Sequence, residues 1–383
     1  MVISQFLIME KMDIKKIQQF EPHLGEEEKQ QLIEVIDSGW FTEAKKTREF
    51  EKIFAEYVGK KYAVATTSGT SALFIALYAM NLSRNDQVIV PDLTFVASPN
   101  SVRMTEAKVS LVDIEKNNLC LDIKKTQGLV NKNTKAVMPV DFNGRTADIR
   151  ELREFTDQAD IFIVEDACHT MGSYYRGKHM GHFSDVSIFS FATPKIITTG
   201  QGGMLVTDNK ELYEKYRMIK DFGRDVDKKH NMRKAFDHVM IGFNFKFTEF
   251  QAAVGIAQMK KLPKRVEHKK KMFKIYRDIL ENVRGIEFLE TNLDEIVPWF
   301  NDIFLSSNKV RDNLIEHLNN HKIGTRIVYP PIHKLKPYSN TKTNFVNTEE
   351  MSKRGLWLPS SSFLTENDII FISDKIKNFI QKE

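Results

Sequence analysis

Seven short apolar runs punctuate residues 62 to 208: YAVAT (62–66), QVIVP (87–91), KVSLVD (108–113), KAVMPV (135–140), IFIVED (161–166), VSIFSF (186–191) and GGMLVTD (202–208). Polar or turn residues end them, and stretches of helical spacing lie between them, such as Ser71 to Met80 and Ala97 to Met104. Strands this apolar, separated by helices, require a parallel sheet covered on both faces, so an α/β fold is expected. Ahead of the first strand, Gly25 to Val58 reads as helix, irregular turn (Ser38 to Thr42) and helix. Beyond the last, Glu249 to Leu262 reads as a long helix, after which the texture changes. Residues 260–274 carry eight Lys or Arg, and the remainder alternates strands and helices (IEFLE, IFLSS, VRDNLIEHLNN, DIIFISDKIKNFI). A domain boundary is expected near Lys264.

Charge and cysteine content narrow the function. Over 383 residues, 56 Lys and Arg exceed 51 Asp and Glu by 5, a mild balance that suits anionic small molecules but not a dedicated nucleic-acid binder. The basic run at 260–274 has no interleaved aromatic until Phe273 and reads as a solvated helix surface. Cys120 and Cys168 make neither a disulfide framework nor a metal motif. The N-terminal apolar run is about seven residues long, too short and wrongly flanked for a signal peptide, and no stretch reaches the roughly 18 to 20 apolar residues a bilayer requires. A reduced, cytoplasmic protein without metal, membrane or nucleic-acid partner is expected, with residues 1–11 a frayed extension, since Met9 and Met12 are further candidate starts.

Motifs that are missing matter as well: there is no GxxxxGK[ST], no GxGxxG after a strand, no HExxH and no GxSxG. One dense segment remains, Val164 to Asn209. In it Glu165-Asp166 close an apolar strand at the edge where parallel sheets present functional groups; a carboxylate there can hold a proton on a heterocyclic nitrogen, or simply cap the next helix. Lys195 lies in an otherwise uncharged, largely apolar stretch (FATPKIITTG). Burial depresses a lysine pKa and makes a nucleophilic amine, although an isolated lysine more often snorkels to the surface. Ser68-Gly69-Thr70 opens a helix, where backbone N–H groups and a hydroxyl suit a phosphate. Amine, acid, aromatic face and phosphate cradle together describe a pyridoxal 5'-phosphate site.

With those residues in place, the chain resembles the fold type I sugar aminotransferases of the DegT/DnrJ/StrS group. The resemblance runs from about Glu21 to the C-terminus through SGWFTE, YAVATTSGTSAL, QVIVPDLTFVASPNSV, KAVMPVDFNGRTADI, VEDACHTMGSYYRGKHMG, FSFATPKIITTGQGGM, GFNFKFTEFQAAVGIAQMKKL, RIVYPPIH and WLPSSSFLTENDI. It implies an α/β, fold type I architecture: a large domain (25–263) with a mostly parallel seven-stranded sheet between helices, a smaller α+β C-terminal domain (264–383), and an N-terminal extension (1–24) packed on the small domain.

Residue by residue, the resemblance implies that Lys195 carries pyridoxal 5'-phosphate and moves the proton at the substrate carbon, and that Asp166 pairs with the ring nitrogen. His169 would sit near the ring oxygen and Phe95 stack on the ring, each of which could otherwise be a packed core residue. Gly69, Thr70 and Ser190 would hold the phosphate, joined by Asn244 of the partner subunit, which makes the enzyme a homodimer with active sites at its interface. Tyr329 and His333 are the candidate sugar contacts. The implied reaction passes an amino group from L-glutamate, by a two-stage exchange, to a nucleotide-linked 4-keto-6-deoxyhexose of the perosamine or viosamine type. Alternatives are a 3-keto sugar, a cyclitol ketone with glutamine as donor, and a non-catalytic regulatory protein that binds the cofactor. Lys195 separates the chain from related 3-dehydratases, which have histidine there. Departures are Gln201 in TGQGG, Ala192-Thr193-Pro194, and Lys220-Asp221-Phe222-Gly223; all are expected near the sugar. Lys228, Lys229, Arg233 and Lys234, with the 260–274 run, are expected to draw in a diphosphate-bearing substrate.

Overall fold

The computed structural model describes residues 16–225, 237–339 and 343–383; the expectations for residues 1–15 and for Lys228, Lys229, Arg233 and Lys234 lie outside these. Two helices, α1 (Glu26–Ser38) and α2 (Lys45–Val58), precede β1 (Tyr62–Thr66) and α3 (Gly69–Tyr78). Then follow β2 (Gln87–Pro91), α4 (Ala97–Met104), β3 (Lys108–Val112), α5 (Ile123–Leu129), β4 (Thr134–Val137), α6 (Ile149–Gln158) and β5 (Phe162–Asp166). A small hairpin, β6 (Tyr174–Tyr175) and β7 (Lys178–His179), leads to β8 (Val186–Ser190), β9 (Gly203–Thr207) and α7 (Lys210–Lys220).

The seven runs expected from sequence form one sheet of order β1-β9-β8-β5-β4-β2-β3. β9 runs antiparallel to both neighbours, whereas the pairings from β8 to β3 are parallel. Both faces are buried, as runs without polar alternation demand. Along β2, Ile89 faces one core with Phe50, Phe54 and Phe191, while Val88 and Val90 face the other with Leu73, Leu77 and Tyr216.

The helix α8 (Glu249–Leu280) is continuous through Pro263, and the expected boundary near Lys264 falls inside it. Beyond it β10 (Ile286–Glu287), β11 (Asn301–Leu305), β12 (Arg326–Ile327) and β13 (Gly355–Leu358) form a second, antiparallel sheet of order β10-β11-β13-β12. Helices α9 (Asn308–Asn320), α10 (Val346–Arg354) and α11 (Glu366–Ile380) accompany it, with a separate core that includes Ile303, Leu356 and Ile372. The N-terminal segment joins this core through Ile17, whose backbone bridges to Ile323.

Two residues of the basic run depart from the expected solvated surface: Arg265 and Lys269 are buried, whereas Lys260, Lys264, Lys271 and Lys274 are exposed as expected. Gln258, Leu262, Arg265, Lys269, Met272 and Tyr276 recur every three or four residues along α8, and all are buried. Lys269 donates to Trp299 O at 2.9 Å and Ser360 O at 2.5 Å. Burial, reinforced by Arg265, pushes its pKa down to about 7. A count of like charges cannot separate this inward stripe from the outward one; helical phase does.

Candidate active site

The carboxyl ends of β1, β2, β5 and β8 open on a cavity of about 300 Å3, where an open parallel sheet presents its functional groups. Asp166, the last residue of β5, is 6% exposed. Its Oδ2 accepts from Ser98 Oγ at 2.8 Å and its Oδ1 from the Cys168 N–H at 3.2 Å, so the carboxylate is fixed in orientation. Ser98 is held in turn by Thr94, their hydroxyls 2.8 Å apart.

Lys195 sits on the loop between β8 and β9, and the loop is tied down on several sides. Trp299 Nε1–H donates to Pro194 O at 2.7 Å, Arg265 Nη1 donates to Ile196 O at 2.8 Å, and the Thr198 N–H donates to Gln258 Oε1 at 3.2 Å. Arg265 and Gln258 reach it from the inward stripe of α8. The lysine Nζ lies 4.0 Å from the centroid of the Trp299 ring. Burial lowers its pKa to about 8 against the opposing pull of the Asp166 carboxylate, which makes the amine available as a base near neutrality.

His169 lies 6% exposed beside the lysine, its ring stacked on Trp299 with centroids 3.9 Å apart. Its Nδ1 accepts from the Asn143 N–H at 3.3 Å. Burial, then the Lys195 charge, hold its pKa well below the usual imidazole value. The ring is therefore neutral, and with Nδ1 accepting, its one proton is on Nε2.

The cradle lies at the start of α3. Ser68 Oγ accepts from the Ser71 N–H and Ser68 O from the Ala72 N–H. Gly69 and Thr70 supply helix-terminal N–H groups with no intrahelical partner, and both line the cavity with Ser190. A Cβ on Gly69 would lie 3.1 Å from Ser190 Cβ and 3.2 Å from Cys168 Sγ; one on Gly203 would lie 2.3 Å from Ser68 O. Glycine at 203 is thus what lets β9 run against the helix start. Gly203→Ala should displace this terminus, costing about 1–3 kcal/mol of stability and roughly tenfold or more in cofactor affinity, read from thermal melts and a cofactor titration. Helix-terminal donors with a serine hydroxyl, a buried carboxylate and a depressed lysine amine match the phosphate, ring nitrogen and aldehyde of pyridoxal 5'-phosphate.

Phe95 and Tyr329 also line the cavity, ring centroids 5.5 Å apart, with Phe95 53% exposed. Gln201, Ala192 and Pro194, the departures noted in sequence, line it as well. Asn244 is exposed and does not. Nor does His333: it is buried, its N–H donating to Asp92 Oδ1 at 2.8 Å and its Nδ1 lying 2.6 Å from Asp92 Oδ2, with Glu349 on Nε2. This histidine clasps the end of β2 to the second sheet's side of the molecule. Lys220 does not line the cavity either; it is buried against Ala65 O, Glu43 and Glu51. Sequence reasoning passed over Trp299, Ser98 and Asn143. No local pattern marks Trp299; Ser98, within ASPNS, carried only the signal of a hydroxyl near a helix start.

A model of the DegT/DnrJ/EryC1/StrS aminotransferase family matches residues 22–377. GDP-perosamine synthase of Escherichia coli O157:H7 is 32% identical over 96% of this chain and 99% of that protein, and the Caulobacter vibrioides GDP-perosamine synthase is 34% identical over 93% and 96%. Among solved structures, Helicobacter pylori PseC, an aminotransferase involved in pseudaminic acid biosynthesis, superposes with a TM-score of 0.89 at 25% identity, covering 96% of this chain and 100% of that one.

Proposed function

The chain belongs to the DegT/DnrJ/EryC1/StrS aminotransferase family and is a pyridoxal 5'-phosphate-dependent sugar aminotransferase; from that premise we propose that it transfers an amino group from L-glutamate to a nucleotide-linked 4-keto-6-deoxyhexose. The observation that carries the acceptor is the likeness to GDP-perosamine synthases over nearly the full length of both chains. When bound, the cofactor supplies a sink for the electrons released as a substrate C–H bond breaks.

In this reading Lys195 takes the proton from the donor's carbon and later delivers one to the sugar carbon, a task suited to a pKa near the working pH. Asp166, anchored by Ser98 and Cys168, keeps the ring nitrogen protonated. His169 offers Nε2–H to the ring oxygen, Phe95 covers the ring, and Gly69, Thr70 and Ser190 bind the phosphate. Tyr329 lies at the substrate side of the cavity.

The active form is a homodimer in which Asn244 of the partner subunit completes the cradle. The surroundings of this residue support that assignment: Asn244 forms a β-bridge with Asp221, and Phe222, Val239 and Ile241, nearby in sequence to these two, are 42%, 63% and 73% exposed, an apolar surface suited to a second copy. Among the described residues no helix is long and apolar enough to cross a membrane. Both cysteines are free, which supports a cytoplasmic setting.

Purified enzyme loaded with glutamate should shift its near-visible absorbance to shorter wavelength, and the loaded form should then discharge onto matched acceptors. The 4-keto sugar is expected to exceed 3-keto sugars and inososes by about tenfold or more in kcat/KM. Preference for a cyclitol ketone or a 3-keto sugar would overturn the acceptor, and a failure of the glutamate shift would overturn the donor.

A further inference from the structure

Trp299 meets the lysine in two ways. Its Nε1–H holds the carbonyl of Pro194, one residue before Lys195, at 2.7 Å, and the lysine Nζ lies 4.0 Å from the centroid of its ring. The indole cannot readily swing away. It is 2% exposed, stacked with His169 and Phe300 at centroid separations of 3.9 and 3.8 Å, and its backbone carbonyl accepts from Lys269 at 2.9 Å. An aromatic face attracts an ammonium and not a neutral amine, so this contact acts against burial, which favours the neutral form.

Other groups face the same amine. Asp166 favours the ammonium and is fixed in place; Cys168 is kept a thiol by burial; His169 is neutral. Arg326, across the cavity, and Arg265, behind the loop at Ile196 O, disfavour a second cation. Tyr329 is held un-ionised by burial. Among these, the Trp299 ring is a feature that stabilises the ammonium without adding charge to the cavity.

We infer that Trp299 is a positioning residue for Lys195, its indole serving as the seat of the lysine amine whenever that amine is not joined to the cofactor, and so setting how much of it is held as ammonium. The inference rests on Lys195 being the cofactor lysine. A two-stage transfer releases this amine once, when the donor's amine displaces it, and takes it back only when the aminated product leaves; in between it must carry a proton and stay within reach. A ring face fixed to its own loop keeps the amine charged and within reach.

The test uses the full-length protein stripped of cofactor. Pyridoxal 5'-phosphate is added between pH 6 and 10, and the rate of appearance of the lysine-bound chromophore is followed. The neutral amine attacks the aldehyde carbon and water is lost, so the rate follows the neutral fraction. Trp299→Leu should lower the midpoint of this pH profile by about one unit, and Trp299→Phe, which retains a ring face, by less than half as much. Tryptophan fluorination weakens the ring's negative face with little change of shape. Uniformly fluorinated wild-type protein should therefore show a midpoint that falls as fluorine number rises, a response that a purely structural role would not produce and that remains readable if Trp299→Leu does not fold. Midpoints unmoved by fluorination, or a folded Trp299→Leu with the wild-type midpoint, would overturn the inference while leaving Lys195 as the cofactor lysine. Absence of the chromophore in wild type at every pH would instead overturn the role of Lys195, and this inference with it.

Discussion

Lys195→Ala should leave a folded protein that has no lysine-bound chromophore and whose transamination rate is lower by on the order of 10³-fold or more. The size of the effect follows from the site's economy. The described cavity-lining side chains include one amine, and burial has already brought its pKa to about 8, so another group of matched basicity is not at hand to move the proton. The fold should tolerate the change, because the described contact of the lysine Nζ is the Trp299 ring and not a carboxylate or carbonyl. The loop keeps its ties from Trp299, Arg265 and Gln258. Absorbance, single-turnover kinetics and a thermal melt on one preparation make the separation. An alanine variant that turns over at the wild-type rate would sink the assignment; one that has lost its melt as well as its activity would show that the lysine is structural.

The second large effect is one of stability. Arg145 and Asp302 form a two-pronged ion pair at 2.8 and 2.9 Å, and they are 2% and 0% exposed. Arg145→Leu leaves the carboxylate buried with Asn143 as its remaining described donor, at 2.9 Å, and should cost about 3–5 kcal/mol. The damage should reach the active site. Asn143 binds Asp302 and both the N–H and carbonyl of Phe300, and its own N–H holds His169. Cofactor affinity should therefore fall together with the denaturant midpoint. Replacing both partners, Arg145→Leu with Asp302→Leu, removes the stranded charge and should recover much of the loss. A single variant within about 1 kcal/mol of wild type would show that water reaches Asp302 and satisfies it.

Much of this molecule was legible because its signals are local. Strand runs apolar on both faces, glycine and serine at a helix start, and an acid closing a strand each report on neighbours within a few residues, where period and steric preference act. Asp166, Ser190 and the Ser68-Gly69-Thr70 turn come to one edge because parallel strands all end there. His333 is the opposite case: proximity along the chain to Tyr329 does not say which of the two side chains lines the described cavity, and a buried carboxylate at Asp92 holds the histidine. Lys269 and Arg265 misled because a run of cations has no phase until the helix is docked.

The chain's local chemistry by itself determined the α/β sheet, the edge at which chemistry occurs, and the lysine and acid that could serve a pyridine cofactor. Only the tertiary structure decided which residues from more than a hundred positions away meet at or behind the site: Trp299 against Lys195 and His169, and Phe300 and Asp302 against Asn143 and Arg145. These contacts depend on how the second sheet settles on the first. That docking is chosen by the summed burial and pairing of many side chains, and no short stretch of sequence carries it.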